Sequence, residues 1–548
     1  MSFLVDMLAK GYFPKEIPPP FTTTPFANFI QANPTYYPDP AVKYGPTKLV
    51  RHHLAQVGRN RRILSIPNPI NFLRLVMALD ANFADVFRLA NSSPISVSKP
   101  VYQSKGDRAI QPVRNYKTIP RRRAEARAVS RYVLKTDITR FYGSIYTHSI
   151  PWAIHGKEIA KGNYSNQLFG NLLDQIVRQA QDDQTIGIPV GPDTSLLISE
   201  IILSAVDQLA CQGSRGFRWY DDYELSGLTK GDCETLLVEL EAALAEYELE
   251  VSASKTVYLE LPLPLEEEWA DWLRGFRFSA DAGEQFKDIN RFFTKAFEYC
   301  VSGPKRQVLR YAVRKLHGAG IYERNWKHVQ NLLSQAALHE PEVLPHVIGL
   351  LNYYQLRGRK LQVERLEELF CEISKIYASR LVGSEVAWAL WGFLQFKMKI
   401  PQSCIDDALS MEDDLVSLLL LDANSKGLVD PPLDLQRYSA LVKKDAFRSE
   451  HWLLAYEGVK KKWLKASKKD LNSFKNDPHV KELLRADVYF YNEDWKFDES
   501  ARHVYGTPFW LQYNLPDMPP SGESADSSNE EQETSDEDEL SMNGGALQ

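Results

Sequence analysis

A chain of 548 residues has room for two to four domains, and 44% hydrophobic with 25% charged residues is the profile of a globular protein that buries sizeable cores. No run approaches twenty consecutive apolar residues, which excludes an ordinary membrane-spanning helix, and MSFLVDMLAKGYF lacks the basic start and small-residue cleavage site of a signal peptide. The net charge of −6 hides an asymmetry: residues 521–548 carry nine acids and no Lys or Arg, so the remainder is +3. Between Lys105 and Lys135 there are ten Lys/Arg against only Asp107 and Glu125, which suits a nucleic-acid partner as well as a solvated charged face. The five cysteines (Cys211, Cys233, Cys300, Cys371, Cys404) form no C-x-x-C pair and read as reduced thiols of a cytoplasmic protein. The adjacent His52 and His53 have no Cys or carboxylate at ligand spacing nearby.

In chain order, residues 1–60 are rich in Pro and aromatics (FPKEIPPPFTTTPF, NPTYYPDP) and predict an extended segment packing over the next domain. RRILSIPNPINFLRLVMALDANF predicts a short strand, a Pro-x-Pro stop and an amphipathic helix. A helix over 121–131 would place Arg123, Arg127 and Arg131 on one face. YVLKTDI is a β-rich run ending in Asp137, and 145–181 reads as helical. GIPVGPDTS is a Gly/Pro loop opening a long apolar helix, GFRWYDDYELSG predicts two strands around an acidic turn, 231–249 predicts a helix, and KTVYLEL a strand. This alternation implies a mainly antiparallel sheet with helices over 61–285. Beyond 290, apolar segments of helical period recur at 305–317, 326–338, 342–356, 361–380, 384–398 and 404–421, which predicts a solenoid-like helical domain over 290–515. Residues 516–548 are too poor in apolar side chains to build a core and read as an acidic disordered tail.

Chemistry points to Asp137 at a strand end and Asp221-Asp222 in a hairpin turn. An Asp-Asp pair alone means little, since aspartate favours turns for its own backbone hydrogen bonds. Asp182-Asp183 in a polar loop, Asp413-Asp414 at a helix start and the acids of the tail all have such ordinary explanations. Asp221-Asp222 differs because β-formers flank it and a glycine bounds each arm. Three carboxylates gathered from two strands would supply the hard oxygen ligands that Mg²⁺ demands, and would repel one another without it.

The ordered set LKTDITRFY, GIPVGPDTS, RWYDDYEL and SASKT resembles the palm motifs of reverse transcriptases, and RRILSIPNPINFL resembles their first fingers motif. With GYFPKEIPPPFTTTPF at the start and a helical C-terminal half, the chain is most similar to bacterial abortive-infection and phage-defence reverse transcriptases, over roughly residues 10–260. The resemblance implies an α+β right-hand polymerase fold, palm and fingers, followed by the helical domain. It implies that Asp137, Asp221 and Asp222, with the backbone carbonyl of Ile138, hold two Mg²⁺ ions, Mn²⁺ being a possible substitute. Phe141, Tyr142, Gly191 and Lys255 would meet the nucleotide, Tyr142 as the steric gate favouring deoxynucleotides. Lys105, Arg108, Arg123 and Arg127 would touch nucleic-acid phosphates. The implied partners are dNTPs, an RNA template or non-coding RNA, a DNA product and further copies of the chain, with no membrane; the implied setting is antiviral defence. Trp219 replaces the family's usual Tyr two positions before the Asp pair, and Val190 replaces a usual Gln. Synthesis primed from a protein hydroxyl occurs in the resembling group, but none of the 26 tyrosines stands out as a primer. An RNA polymerase on the same palm and a catalytically inactive binding scaffold are the alternative readings.

Overall fold

The computed structural model describes residues 2–37, 39–55, 61–113, 118–303 and 307–497. The acidic tail therefore lies outside the described residues, as does the end of the expected helical domain.

The N-terminal segment is more built than the expected extended wrap. Helix α1 (Phe3–Lys10) begins where the Ser2 hydroxyl accepts the Val5 N–H, and α2 (Thr24–Ala32) carries Pro25 in its first turn, where its missing N–H costs nothing. The aromatics that suggested a surface wrap are core residues: Tyr12 and Phe26 are fully buried, and Tyr12 stacks on Phe72 with centroids 4.1 Å apart. Strand β1 (Val50–Ala55) pairs antiparallel with β2 (Arg61–Ile66), Val50 opposite Ile66, so a boundary at residue 60 would divide two paired strands. Helix α3 (Pro69–Ala81) is capped by Asn68 and buries most of its circumference, not the single stripe expected of an amphipathic helix. Next come α4 (Phe83–Ala90), the short antiparallel pair β3 (Pro100–Tyr102) and β4 (Ile110–Pro112), and α5 (Ile119–Arg127).

The main sheet is antiparallel, in the order β6 (Arg215–Trp219), β7 (Asp222–Gly227), β5 (Tyr132–Asp137), β8 (Val257–Glu260). Helices α6 (Phe141–Ser144), α7 (Ser149–His155), α8 (Lys157–Gly162), α9 (Phe169–Gln179) and α10 (Asp193–Ala210) lie between β5 and β6, and α11 (Lys230–Ala245) follows β7. Side chains alternate across a strand, so the β5 and β7 residues opposite one another share a face. Leu134, Tyr223 and Leu225 point to the side of α10 and α11 and are buried. Asp137, Asp222 and Glu224 point to the other side, part of which α5 covers.

From α12 (Glu268–Gly275) onward the described chain is helical: α13 (Ala282–Ser302), α14 (Val308–Leu316), α15 (Glu323–His339), α16 (Leu344–Leu356), α17 (Val363–Ala378), α18 (Gly383–Gln395), α19 (Gln402–Leu409), α20 (Asp414–Ser425), α21 (Gln436–Ser439), α22 (Trp452–Lys460), α23 (Lys468–Lys475) and α24 (Pro478–Arg485). From α13 to α20 each helix packs on the second one along, giving two layers, α13–α15–α17–α19 against α14–α16–α18–α20. The single segment expected at 404–421 is two helices. Asp413 is extended, and its carboxylate accepts the Leu415 and Val416 N–H groups and pairs with His52, so it starts a new helix and cannot continue the old one. Cys371 on α17 and Cys404 on α19 are joined as a disulfide, a departure from the five reduced thiols expected, while Cys211, Cys233 and Cys300 are free. The C-terminal segment returns to the start of the chain: Asn492 N–H donates to the Pro20 carbonyl at 2.7 Å and Thr22 N–H to the Phe490 carbonyl at 2.9 Å. The whole is α+β, with small antiparallel sheets and a large helical part. None of the described helices is long and apolar enough to cross a membrane.

Candidate active site

The site is assembled by strand register. Asp137, the last residue of β5, lies directly opposite Asp222, the first residue of β7. Trp219 pairs with Asp222 on the other side, which leaves Tyr220 and Asp221 as a two-residue turn. Tight hairpins of this length need a positive φ, here supplied by Tyr220 at +54°. Three carboxylates 84 and 85 residues apart along the chain are thus neighbours in space, Asp137 hydrogen-bonding Asp222.

Their electrostatics follow from crowding. Partial desolvation, then the charges of Asp221 and Asp137, push the Asp222 carboxyl up to about 7, although that side chain keeps an exposed edge. Asp221 is raised by desolvation and by Asp137, and is pulled back by Lys255 and Arg62. Lys255 places its ammonium on Asp137 Oδ2, and that contact outweighs its partial desolvation and raises its own pKa. Among the described residues no group of three or more His, Cys, Asp or Glu side chains is arranged, as it stands, to hold a metal ion. One oxygen of this cluster, Asp137 Oδ2, carries the Lys255 ammonium. The donor set itself, three carboxylates crowded at one strand end and turn beside a lysine, fits a hard divalent cation that takes one or two carboxylates with phosphate and water. Ile138, whose carbonyl belongs to the expected ligand set, is buried and bridges to Val251 directly after Asp137.

Tyr142 lies on α6, just after the β5 strand that carries Asp137. Half-buried, it has its hydroxyl raised by burial while bonding Ser199, and it lies close enough to Tyr220 and Asp221 to feel their charge. Its backbone carbonyl accepts the Ile188 N–H at 2.9 Å, which fixes it against the Gly/Pro loop. Phe141, expected to meet the nucleotide, is instead buried in the core with its ring 5.2 Å from that of Tyr142, and so supports Tyr142 from behind.

The expectations for Gly191, Arg108, Arg123 and Arg127 need correction. Gly191 has φ +124°, and a Cβ there would collide with the Pro14 ring, so the close approach it permits is that of the N-terminal segment and not of a nucleic acid. Arg108 is consumed by the same junction: Nε donates to Asp193 Oδ1 at 2.9 Å, Nη1 to the Phe13 carbonyl at 2.6 Å and Nη2 to the Gly191 carbonyl at 3.1 Å. Arg123 and Arg127 share an α5 face as expected, but that face lies on the sheet. Arg123 Nε meets Glu224 Oε2 at 3.1 Å and Arg127 Nη2 meets Glu224 Oε1 at 2.6 Å, and both also bind carbonyls among Leu263, Pro264 and Leu265. A carboxylate buried on β7 requires such partners, and it takes the arginines away from any ligand. Arg131 lies beyond the end of α5, and Lys105 is exposed beside the β3–β4 turn. Arg62, exposed on β2 and electrostatically facing Asp221, escaped the sequence reading; its only signal is a basic pair opening a β-rich run.

No family model and no curated protein matches the chain. Among solved structures, apo telomerase from Candida Tropicalis aligns over 72% of this chain and 73% of that one, at a TM-score of 0.30 and 9% identity. A likeness that loose carries no weight for fold or activity.

Proposed function

We propose that the chain is a DNA polymerase of the reverse-transcriptase type, which adds dNTPs by nucleotidyl transfer and serves antiviral defence as a homo-oligomer. The observation that carries the polymerase reading is the cross-strand pairing of Asp137 with Asp222 beside Asp221 in the turn. Crowded carboxylates destabilise a fold, and these three stand beside a tyrosine and only two cations, Lys255 on Asp137 and Arg62 facing Asp221. The defence role and the assembly rest on the motif resemblance alone.

In this reading the β5–β8 sheet is the palm and β1–β2 belong to the fingers. Asp137, Asp221 and Asp222, with the Ile138 carbonyl, would hold two Mg²⁺ ions, which when bound supply charge neutralisation on the triphosphate and a more acidic primer hydroxyl. The protein's own residues do the rest. Lys255 would exchange Asp137 for the pyrophosphate, which leaves the α-phosphorus as the primer oxygen bonds to it and gives up its proton to solvent water. Arg62 faces the same anionic space from β2. The Tyr142 ring occupies the volume a 2′-hydroxyl would need, which favours dNTPs over NTPs and sets this reading above an RNA polymerase. The test is incubation of full-length protein with Mg²⁺ and each labelled nucleotide set: incorporation of dNTPs, sensitive to Asp221→Ala with Asp222→Ala, supports the proposal, whereas preferential NTP incorporation replaces it with the RNA-polymerase reading.

A further inference from the structure

Behind the β6–β7 turn lies a buried charged network with no part in the chemistry above. Arg218 of β6 is fully buried, as are Glu200 and Asp207 of α10. Arg218 Nε donates to Asp207 Oδ2 at 2.8 Å, and its Nη1 and Nη2 donate to Glu200 Oε1 and Oε2 at 3.0 and 3.1 Å. Ser93 and Tyr223 donate to the two oxygens of Asp207 at 2.6 and 2.8 Å; Ser98 and Ser96 donate to those of Glu200 at 2.8 and 3.1 Å.

The network converges on one residue. Arg218 Nη1 also donates to the Tyr220 carbonyl at 2.7 Å, and the Ser98 hydroxyl accepts the Tyr220 N–H at 2.9 Å. Both polar atoms of Tyr220's backbone are therefore gripped, and Tyr220 is the residue whose positive φ forms the turn. A non-glycine residue holds that conformation only where its surroundings over-determine it. An apolar core would support the sheet as well as a buried ion network does, so stability alone is a poor reason for this arrangement. What the network adds is a fixed direction for the peptide that leads into Asp221.

We infer that Ser98, Arg218 and Glu200 are positioning residues that set the place of Asp221 relative to Asp137 and Asp222. The inference rests on the polymerase reading, in that the trio so ordered is its metal-holding set. Ser98 is the sharpest probe: its hydroxyl links the Tyr220 N–H to Glu200, and its removal leaves the ion pairs of Arg218 standing.

Mn²⁺ binding to the full-length protein, followed by electron paramagnetic resonance, tests it with no need for turnover. Ser98→Ala is expected to weaken Mn²⁺ binding by about tenfold, the lower end of what loss of a residue supporting a metal ligand produces, with melting close to wild type. Asp221→Ala with Asp222→Ala is expected to abolish binding. Ser98→Cys, nearly isosteric with weak hydrogen bonding, serves if the alanine variant does not fold, with the same expectation. Unchanged Mn²⁺ affinity in the Ser98 variant, where the double aspartate variant has lost it, overturns this inference alone. Undiminished Mn²⁺ binding in the double aspartate variant overturns the polymerase reading beneath it.

Discussion

Asp222 has a carboxyl pushed up to about 7 by partial desolvation and its two acidic neighbours, an arrangement that costs stability until a cation arrives. Asp137→Asn, Asp221→Asn and Asp222→Asn are each expected to lower dNTP incorporation by roughly a thousandfold or more, the scale at which charge stabilisation of a transition state operates. Because Asp221→Asn and Asp222→Asn relieve like-charge crowding without removing the Asp137–Lys255 ion pair, those two metal-free variants should melt no lower than wild type, which calorimetry in EDTA measures. Tyr142→Ala should narrow the preference for dNTPs over NTPs by about 10- to 100-fold, as the removal of a shape constraint does, read as the ratio of kcat/KM values. Arg123→Ala and Arg127→Ala should act on stability, not on nucleic-acid affinity. Stripping one of the cationic partners from buried Glu224, which keeps the other arginine and Lys135, costs about 1.5–3 kcal/mol, while the salt dependence of nucleic-acid binding stays as in wild type. The helical spacing of Arg123 and Arg127 is visible in the sequence, but their partner is about a hundred residues away, and a shared face does not say what the face meets. Gly191 and Arg108 fail for the same reason, their partners Pro14 and Phe13 lying in a segment that reads as an outer wrap.

At the scale of elements, the strands around the acids are legible because β-formers alternate between glycines, and local pattern decides short hairpins. The N-terminal helices are not, since Pro and aromatic residues disguise segments whose helicity depends on burying Phe3, Met7, Tyr12 and Phe26 elsewhere. The break at Asp413 likewise needs the distant His52 to be seen. Where β1 meets α18, the Ala55 N–H donates to Ser384 Oγ and Glu385 Oε2 at 3.3 and 3.4 Å, and burial pushes the Glu385 carboxyl up to about 7. The folded pKa lies above the unfolded value of about 4.3, so the native state holds the proton longer and stability falls as pH rises from that value to about 7, where the cost is complete. Glu385→Gln, which mimics the protonated form, should therefore stabilise the protein by about 3–4 kcal/mol at pH 8 and by nothing measurable at pH 4. Thermal melting at the two pH values gives the answer, and a gain of equal size at both would remove burial of charge as the cause.

In the whole molecule, two structures of different logic are joined. The sheet brings distant acids together by strand pairing, whereas the helices from α13 onward bury apolar faces between two layers in which each helix meets the second one along. That layering is foreshadowed by the 3.6-residue period, because it needs only local amphipathicity. The closure of the chain, Pro20 and Thr22 meeting Asn492 and Phe490, is not, because hydrogen bonds between backbones leave no mark on residue type. The central claim is that the Asp137, Asp221 and Asp222 cluster transfers nucleotides. Its most direct measurement is product formation by the full-length protein with Mg²⁺ or Mn²⁺ and labelled dNTPs, with and without an RNA template, beside Asp221→Ala with Asp222→Ala. The account expects labelled polymer from the wild type and none from a variant that melts normally; equal yields from both proteins, or none from wild type under any of these conditions, would contradict it.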